Sequence, residues 1–172
     1  LVPPAEQQKL FAKITQEKDV VRATFYFQFY VLEAMRHSGL GENYMRMLGP
    51  WHDMIRHGLT TFSENPEPTR SDCHAWSASP AWGFLSSVCG IRPASPGFRT
   101  VRMEPALGPL NRVRARMPHP DGNIAFSLER RKGGAVSASI DLPDGLRGVF
   151  VWDGVEYGLA PGVNRLEIAG KK

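Results

Sequence analysis

Apolar positions in the first half of the chain recur at helical spacing, whereas those in the second half alternate. "PPAEQQKLFAKI", from Pro3 to Ile14, has proline early and Leu10, Phe11 and Ile14 at helical intervals, which predicts a short amphipathic helix. In "TFYFQFYVLEAMRHSGL" the stretch Phe25 to Leu32 is apolar almost all round, so a helix buried on most sides is expected. Arg36 and His37 in its last turn and Gly39 just beyond supply the stop. "GENYMRMLGPWHDMIRHG" predicts another helix, with Tyr44, Met47, Leu48, Trp51, Met54 and Ile55 on one stripe. Pro50 either kinks this helix or marks its first true turn, and Gly58 ends it. After a loop, "SPAWGFLSSVCGI" is a further long helix stopped at Gly90.

Beyond that point "FRTVRMEP" alternates apolar and basic residues. "RVRARMP" alternates strictly, setting Arg112, Arg114 and Arg116 on one face and Val113, Ala115 and Met117 on the other. "HPDG" is a turn into a returning strand, "NIAFSLERRK". "AVSASIDLP", "GVFVW" and "NRLEIA" follow as strands separated by "PDG", "DG" and "APG" turns. About six short strands at this spacing fit an antiparallel β-sandwich. The expected fold class is therefore α+β, with residues 1–95 helical and 96–172 a sandwich. The helices do not close a convincing core alone and read as the last part of a larger helical array. The opening "LVPPAEQQKLF" reads like the middle of something, so a piece of a longer protein is expected.

Composition changes this picture little. Of 172 residues, 42% are hydrophobic and 22% charged, enough apolar material for a sizeable core. A net charge of +4 permits anionic partners without demanding them. Arg99, Arg102, Arg112, Arg114, Arg116, Arg130, Arg131 and Lys132 raise the question of a nucleic-acid patch. Aromatic stacking partners are not interleaved with them, so a solvated sheet face is the better reading and no nucleic-acid partner is expected. The two cysteines, Cys73 and Cys89, form neither a disulfide framework nor a CxxC spacing; both are expected to be buried thiols. No metal or cofactor is called for. No apolar run reaches the roughly 18 residues of a membrane span, so no membrane partner is expected.

The loop "GLTTFSENPEPTRSDCHAWSASP", Gly58 to Pro80, carries the candidate chemistry. Glu64 follows Thr60, Thr61 and Phe62, and His74 and Trp76 come shortly after. A glutamate near Phe62, Trp51 and Trp76 suits a general base or acid, because aromatic surroundings desolvate a carboxyl and raise its pKa. Aromatic faces stack on sugar rings through their apolar C–H surfaces, and His74 could hydrogen-bond a hydroxyl or orient the carboxylate. The plainer alternative is a capping or salt-bridging Glu64 in a solvated loop, with His74 a polar group at a helix start. Spacing alone leaves both open. Cys73 beside His74 makes a poor nucleophile–base pair, since adjacent loop residues seldom face each other and no third orienting group is evident. Asp72, Cys73 and His74 do not have metal-ligand spacing. The aromatic run Phe25 to Tyr30 is core by default, and Tyr26 is its candidate for lining a pocket.

"WHDMIRHGLTTFSE" followed by "TRSDCHAWSASPAWGFLSSVCGIRPASPGFRTVRMEPALGPL" resembles the end of the catalytic domain of bacterial α-L-rhamnosidases, inverting enzymes of glycoside hydrolase family 78 with an (α/α)6 barrel. "ARMPHPDGNIAFSLER" is similar to the start of their C-terminal β-sandwich, and "ATFYFQFYVLEAMRHSGL" to the barrel helix before the motif. The resemblance implies that Glu64 is the general base that activates the attacking water, and that His74 lies near it in the sugar pocket. It sets Asp72 and Trp76 in the same motif, as substrate-binding candidates with Tyr26. Thr60, Thr61 and Phe62 would shape the turn that aims Glu64. Where many relatives carry Trp just before the glutamate, this chain has Ser63. The implied substrate is a rhamnose-containing glycoside.

An inverting glycosidase needs two carboxyl groups roughly 6.5–9.5 Å apart, one acid and one base. In this family the acid lies in an acidic motif earlier in the barrel. Glu6, Glu17, Asp19, Glu33 and Glu42 sit in helical contexts without that motif. One half of the catalytic pair is therefore expected here, and no appreciable activity from the chain alone. Two further readings remain: another six-hairpin glycosidase, since the barrel serves many chemistries, and a non-catalytic carbohydrate-binding or structural module.

Overall fold

A computed structural model describes residues 2–66 and 68–170. The chain divides between Gly83 and Phe84 into two compact units.

The first unit is helical. Helix α1 (Pro4–Gln16) starts on a proline, which is tolerated there because the first-turn N–H groups have no intrahelical partner. None of its residues is buried, and Leu10 and Ile14 of its apolar stripe stay exposed. Helix α2 (Phe25–His37) is capped by Thr24, whose hydroxyl accepts from the Phe27 amide at 3.5 Å. It ends at Gly39, where φ is +73°. Near-complete burial of this helix is not what forms. Phe25, Leu32 and Met35 are buried, while Tyr26, Phe27 and Tyr30 are exposed, because neighbours within the unit cover only one side.

The next helical run breaks in two at Gly49. A 3₁₀ segment spans Gly41–Leu48, and α3 (Gly49–Arg56) begins with Pro50 in its first turn. The proline thus starts the α-winding rather than kinking it. Tyr44, Leu48, Trp51 and Met54 form the buried stripe, whereas Ile55 is 73% exposed, contrary to its expected place. A 3₁₀ turn at Ala75–Ala78 leads into α4 (Ser79–Gly83).

The second unit opens with a π-helical turn, Phe84–Val88, so the predicted long helix changes winding rather than running as one α-helix. The turn ends at Gly90, where φ is +67° and a Cβ would run into the Glu104 carbonyl.

Eight strands among the described residues then form two sheets. The first sheet holds β1 (Ile91–Pro93), β2 (Thr100–Met103), β6 (Arg147–Trp152) and β7 (Val155–Leu159) in the order 1-2-6-7. The second holds β3 (Arg112–His119), β4 (Gly122–Arg130), β5 (Val136–Leu142) and β8 (Gly162–Ile168) in the order 3-4-5-8. All pairs are antiparallel except β2 with β6. That pairing sets Val101 opposite Gly148, where a Cβ would strike the Val101 carbonyl.

Alternation along β3 to β5 buries Val113, Met117, Ile124, Phe126, Leu128, Val136, Ala138 and Ile140. Phe126 meets Phe150 of the other sheet with ring centroids 6.4 Å apart, and this packing defines the sandwich core. Arg112, Arg114 and Arg116 are exposed, as the alternation predicts. The strands that pattern did not reveal are β1, three residues long and ending in proline, and β7, whose residues are mostly exposed.

Candidate active site

The loop that carries Glu64 is folded against itself by backbone bonds. The Glu64 amide donates to the Ser71 carbonyl at 2.8 Å, and the His74 amide donates to the Phe62 carbonyl at 2.7 Å. The Thr61 hydroxyl adds a bond to the Asp72 carbonyl. Segment 62–64 is thereby clamped to segment 71–74, although the connection between them is rich in proline. The Trp51 indole N–H of α3 donates to the Ser77 carbonyl at 2.7 Å, and the Trp51 ring packs on Phe25 of α2 at 5.2 Å. Both helices therefore brace the turn that follows His74.

Glu64 is 5% exposed. Arg70 meets it with a two-pronged ion pair: Nε donates to Oε2 and Nη2 to Oε1, each at 2.6 Å. His74 Nε2 lies 4.0 Å from Oε1. The His74 Nδ1 atom is buried and has no hydrogen-bond partner among the described residues. The hydrogen bonds from Arg70 hold the Glu64 carboxyl below its ordinary pKa of 4.5, against the upward push of burial; the charges of Arg70 and His74 act in the same direction as those bonds. Glu64 reciprocally pushes the Arg70 guanidinium up. The aromatic desolvation expected to raise this carboxyl is thus outweighed by a cation. A carboxylate kept ionised can accept a proton and has none to donate.

The other candidate residues distribute unevenly. His74 and Trp76 are in ring contact at 4.3 Å, Trp76 meets Tyr26 at 5.5 Å, and Tyr26 meets Tyr30 at 5.8 Å with hydroxyls 3.4 Å apart. Tyr26, Tyr30 and Trp76 are exposed, so an aromatic surface continues outward from the His74 side of Glu64. Asp72 is exposed and enters through its backbone carbonyl. Ser63 is buried and borders a separate cleft of about 330 Å³ with Phe25, Gln28, Met54 and His57, which Glu64 and His74 do not line. No cluster of metal-ligating side chains occurs among the described residues.

Arg70 is the residue that sequence reasoning missed. The available signal was modest: it is the one arginine or lysine between Glu64 and His74.

Residues 90–163 match the family described as the bacterial alpha-L-rhamnosidase C-terminal domain. Among solved structures, a native α-L-rhamnosidase from Aspergillus terreus is similar with a TM-score of 0.83 and 18% identity, over 96% of this chain and 21% of that one. A family-78 rhamnosidase of Bacillus sp. GL1 gives 0.78 and 26% identity, over 86% of this chain and 17% of that one. A Streptomyces avermitilis α-L-rhamnosidase complexed with L-rhamnose gives 0.81 and 18% identity, over 96% and 20%. Among curated proteins, none matches. The chain thus spans about a fifth of the length of the solved rhamnosidases it resembles. The class defined is a helical unit followed by a β-sandwich, a fold shared with these solved rhamnosidases. Within it, the chain is similar over nearly its whole length to the C-terminal part of family-78 α-L-rhamnosidases, as its sequence motifs imply.

Proposed function

We propose that this chain supplies the general base and the C-terminal β-sandwich of an inverting α-L-rhamnosidase acting on terminal α-L-rhamnosides. The helical unit, up to Gly83, would be the end of its (α/α)6 barrel, and the unit from Phe84 onward, with both sheets, its sandwich. The observation that carries this reading is a buried carboxylate, Glu64, held ionised by Arg70 beside His74 and an exposed aromatic surface.

In this mechanism Glu64 takes a proton from a water as that water attacks the anomeric carbon. The leaving oxygen receives its proton from an acid carried elsewhere in the enzyme. His74 hydrogen-bonds a sugar hydroxyl, Trp76 and Tyr26 offer ring faces to the apolar side of the sugar, and Asp72 lies at the rim of the same loop. Because this chain supplies only the base, it has no appreciable hydrolase activity alone.

Another six-hairpin glycosidase would share this layout with a different sugar. The test is a panel of aryl glycosides offered to an enzyme containing this chain and the acid-bearing region, with the isolated chain as control. Turnover of the α-L-rhamnoside well above the rest, with none from the isolated chain, is expected. Preference for a different sugar would move the assignment, and no turnover of any glycoside would favour a binding module.

A further inference from the structure

The structure assigns Arg70 as a positioning residue for Glu64: its forked guanidinium fixes the plane of the carboxylate and keeps it in the proton-accepting state. This rests on the reading of Glu64 as the base.

A glutamate side chain on a loop has three rotatable bonds, and a base works only if a lone pair points at the water. Here both oxygens are held at once by two 2.6 Å bonds from one planar group, which sets the orientation of the carboxylate. The clamp is closed from behind by the bond between the Glu64 amide and the Ser71 carbonyl, which brings the residue next to Arg70 back against Glu64 itself. Each carboxylate oxygen has a second lone pair beyond the one Arg70 takes. Oε1 faces both Arg70 Nη2 and His74 Nε2, while Oε2 faces Arg70 Nε, so Oε2 is the less crowded acceptor for a water.

The surroundings explain why a cation is needed. Glu64 is buried, and burial alone drives a carboxyl toward its neutral, useless form. Arg70 and His74 are the charged or titratable groups acting on Glu64 among the described residues. Arg22, Asp53 and His57 border the neighbouring cleft with Ser63 instead. An arginine keeps its charge throughout the working pH range of proteins. Arg70 is therefore the permanent charge. Its own side chain is 80% exposed, so it anchors Glu64 without being entombed.

Two substitutions separate its two effects. Arg70→Lys keeps a positive charge but loses the fork, and Arg70→Gln loses both. In the enzyme that contains this chain, Arg70→Lys should lower kcat about tenfold to a hundredfold while leaving the acid limb of the kcat/KM pH profile in place. Arg70→Gln should lower kcat and also move that limb to higher pH. A purely structural role would lower the amount of folded enzyme and leave the limb of the surviving fraction unmoved. Titration of the Glu64 carboxyl carbon by NMR in the 172-residue chain gives a readout independent of activity: its midpoint should rise in Arg70→Gln. If Arg70→Gln does not fold, Arg70→Lys with normal kcat overturns the proposal by itself. If both variants fold, normal kcat in Arg70→Lys, or an unmoved limb and midpoint in Arg70→Gln, overturns it. Failure of the base reading looks different, because Glu64→Gln would then turn over normally whatever Arg70 does.

Discussion

The Trp51 indole N–H donates to the Ser77 carbonyl at 2.7 Å, joining α3 to the turn that presents His74 and Trp76. Both partners are buried, so the bond is screened from water and its loss leaves a polar atom unsatisfied. Trp51→Phe keeps a ring against Phe25 but removes the donor, and should destabilise by about 1–3 kcal/mol in denaturant unfolding. Ile55→Ala, on the exposed side of the same helix, should change stability by less than about 0.5 kcal/mol. Equal effects from the two would mean that α3 does not brace this turn.

The Glu64–Arg70 pair ties stability to pH. The folded-state pKa of Glu64 lies below its ordinary 4.5, so the ionised form is favoured by folding. That contribution is fully present above the ordinary value and is lost as pH falls through the folded one. Melting temperature followed from neutral to strongly acidic pH should therefore fall less steeply in Glu64→Gln than in the parent chain. Salt should narrow the difference, because Arg70 is largely exposed. Parallel acid profiles would show that the pair contributes nothing to folding.

The two thiols should separate cleanly. Cys73 is exposed, contrary to the expectation of burial, while Cys89 is buried and its thiol is pushed up to about 11 by that burial. A thiolate reagent near pH 8 should label Cys73 in the native chain and reach Cys89 only on unfolding. Cys73→Ser should abolish the native reaction. Rapid labelling of Cys89 in the folded chain would contradict its burial beside the π-helical turn.

Much of this architecture was legible in the sequence, and the limits of that legibility are physical. The strict alternation of "RVRARMP" could only bury Val113 and Met117 together, so β3 and its outward arginines follow directly. Thr24, Gly39 and Gly90 mark helix ends because their side chains, or lack of one, suit those backbone positions. Strand β1 escaped notice because three residues ending in Pro93 carry no period. Exposure of Tyr26, Phe27 and Tyr30 escaped because an apolar helix announces burial without saying which side has a neighbour. At the site, Glu64, His74 and Trp76 stood out through motif and chemistry. Arg70 did not, since its pairing depends on a proline-rich loop doubling back, which no periodicity records.

The measurement that bears most directly on the account is turnover of an aryl α-L-rhamnoside by Glu64→Gln in an enzyme containing this chain and its acid-bearing region. The substituted amide keeps the shape of the side chain and cannot take a proton. A loss of kcat by orders of magnitude is predicted, in a variant that is still folded at neutral pH although it lacks the stabilisation of the Glu64–Arg70 pair. Near-normal turnover by the folded variant would contradict it.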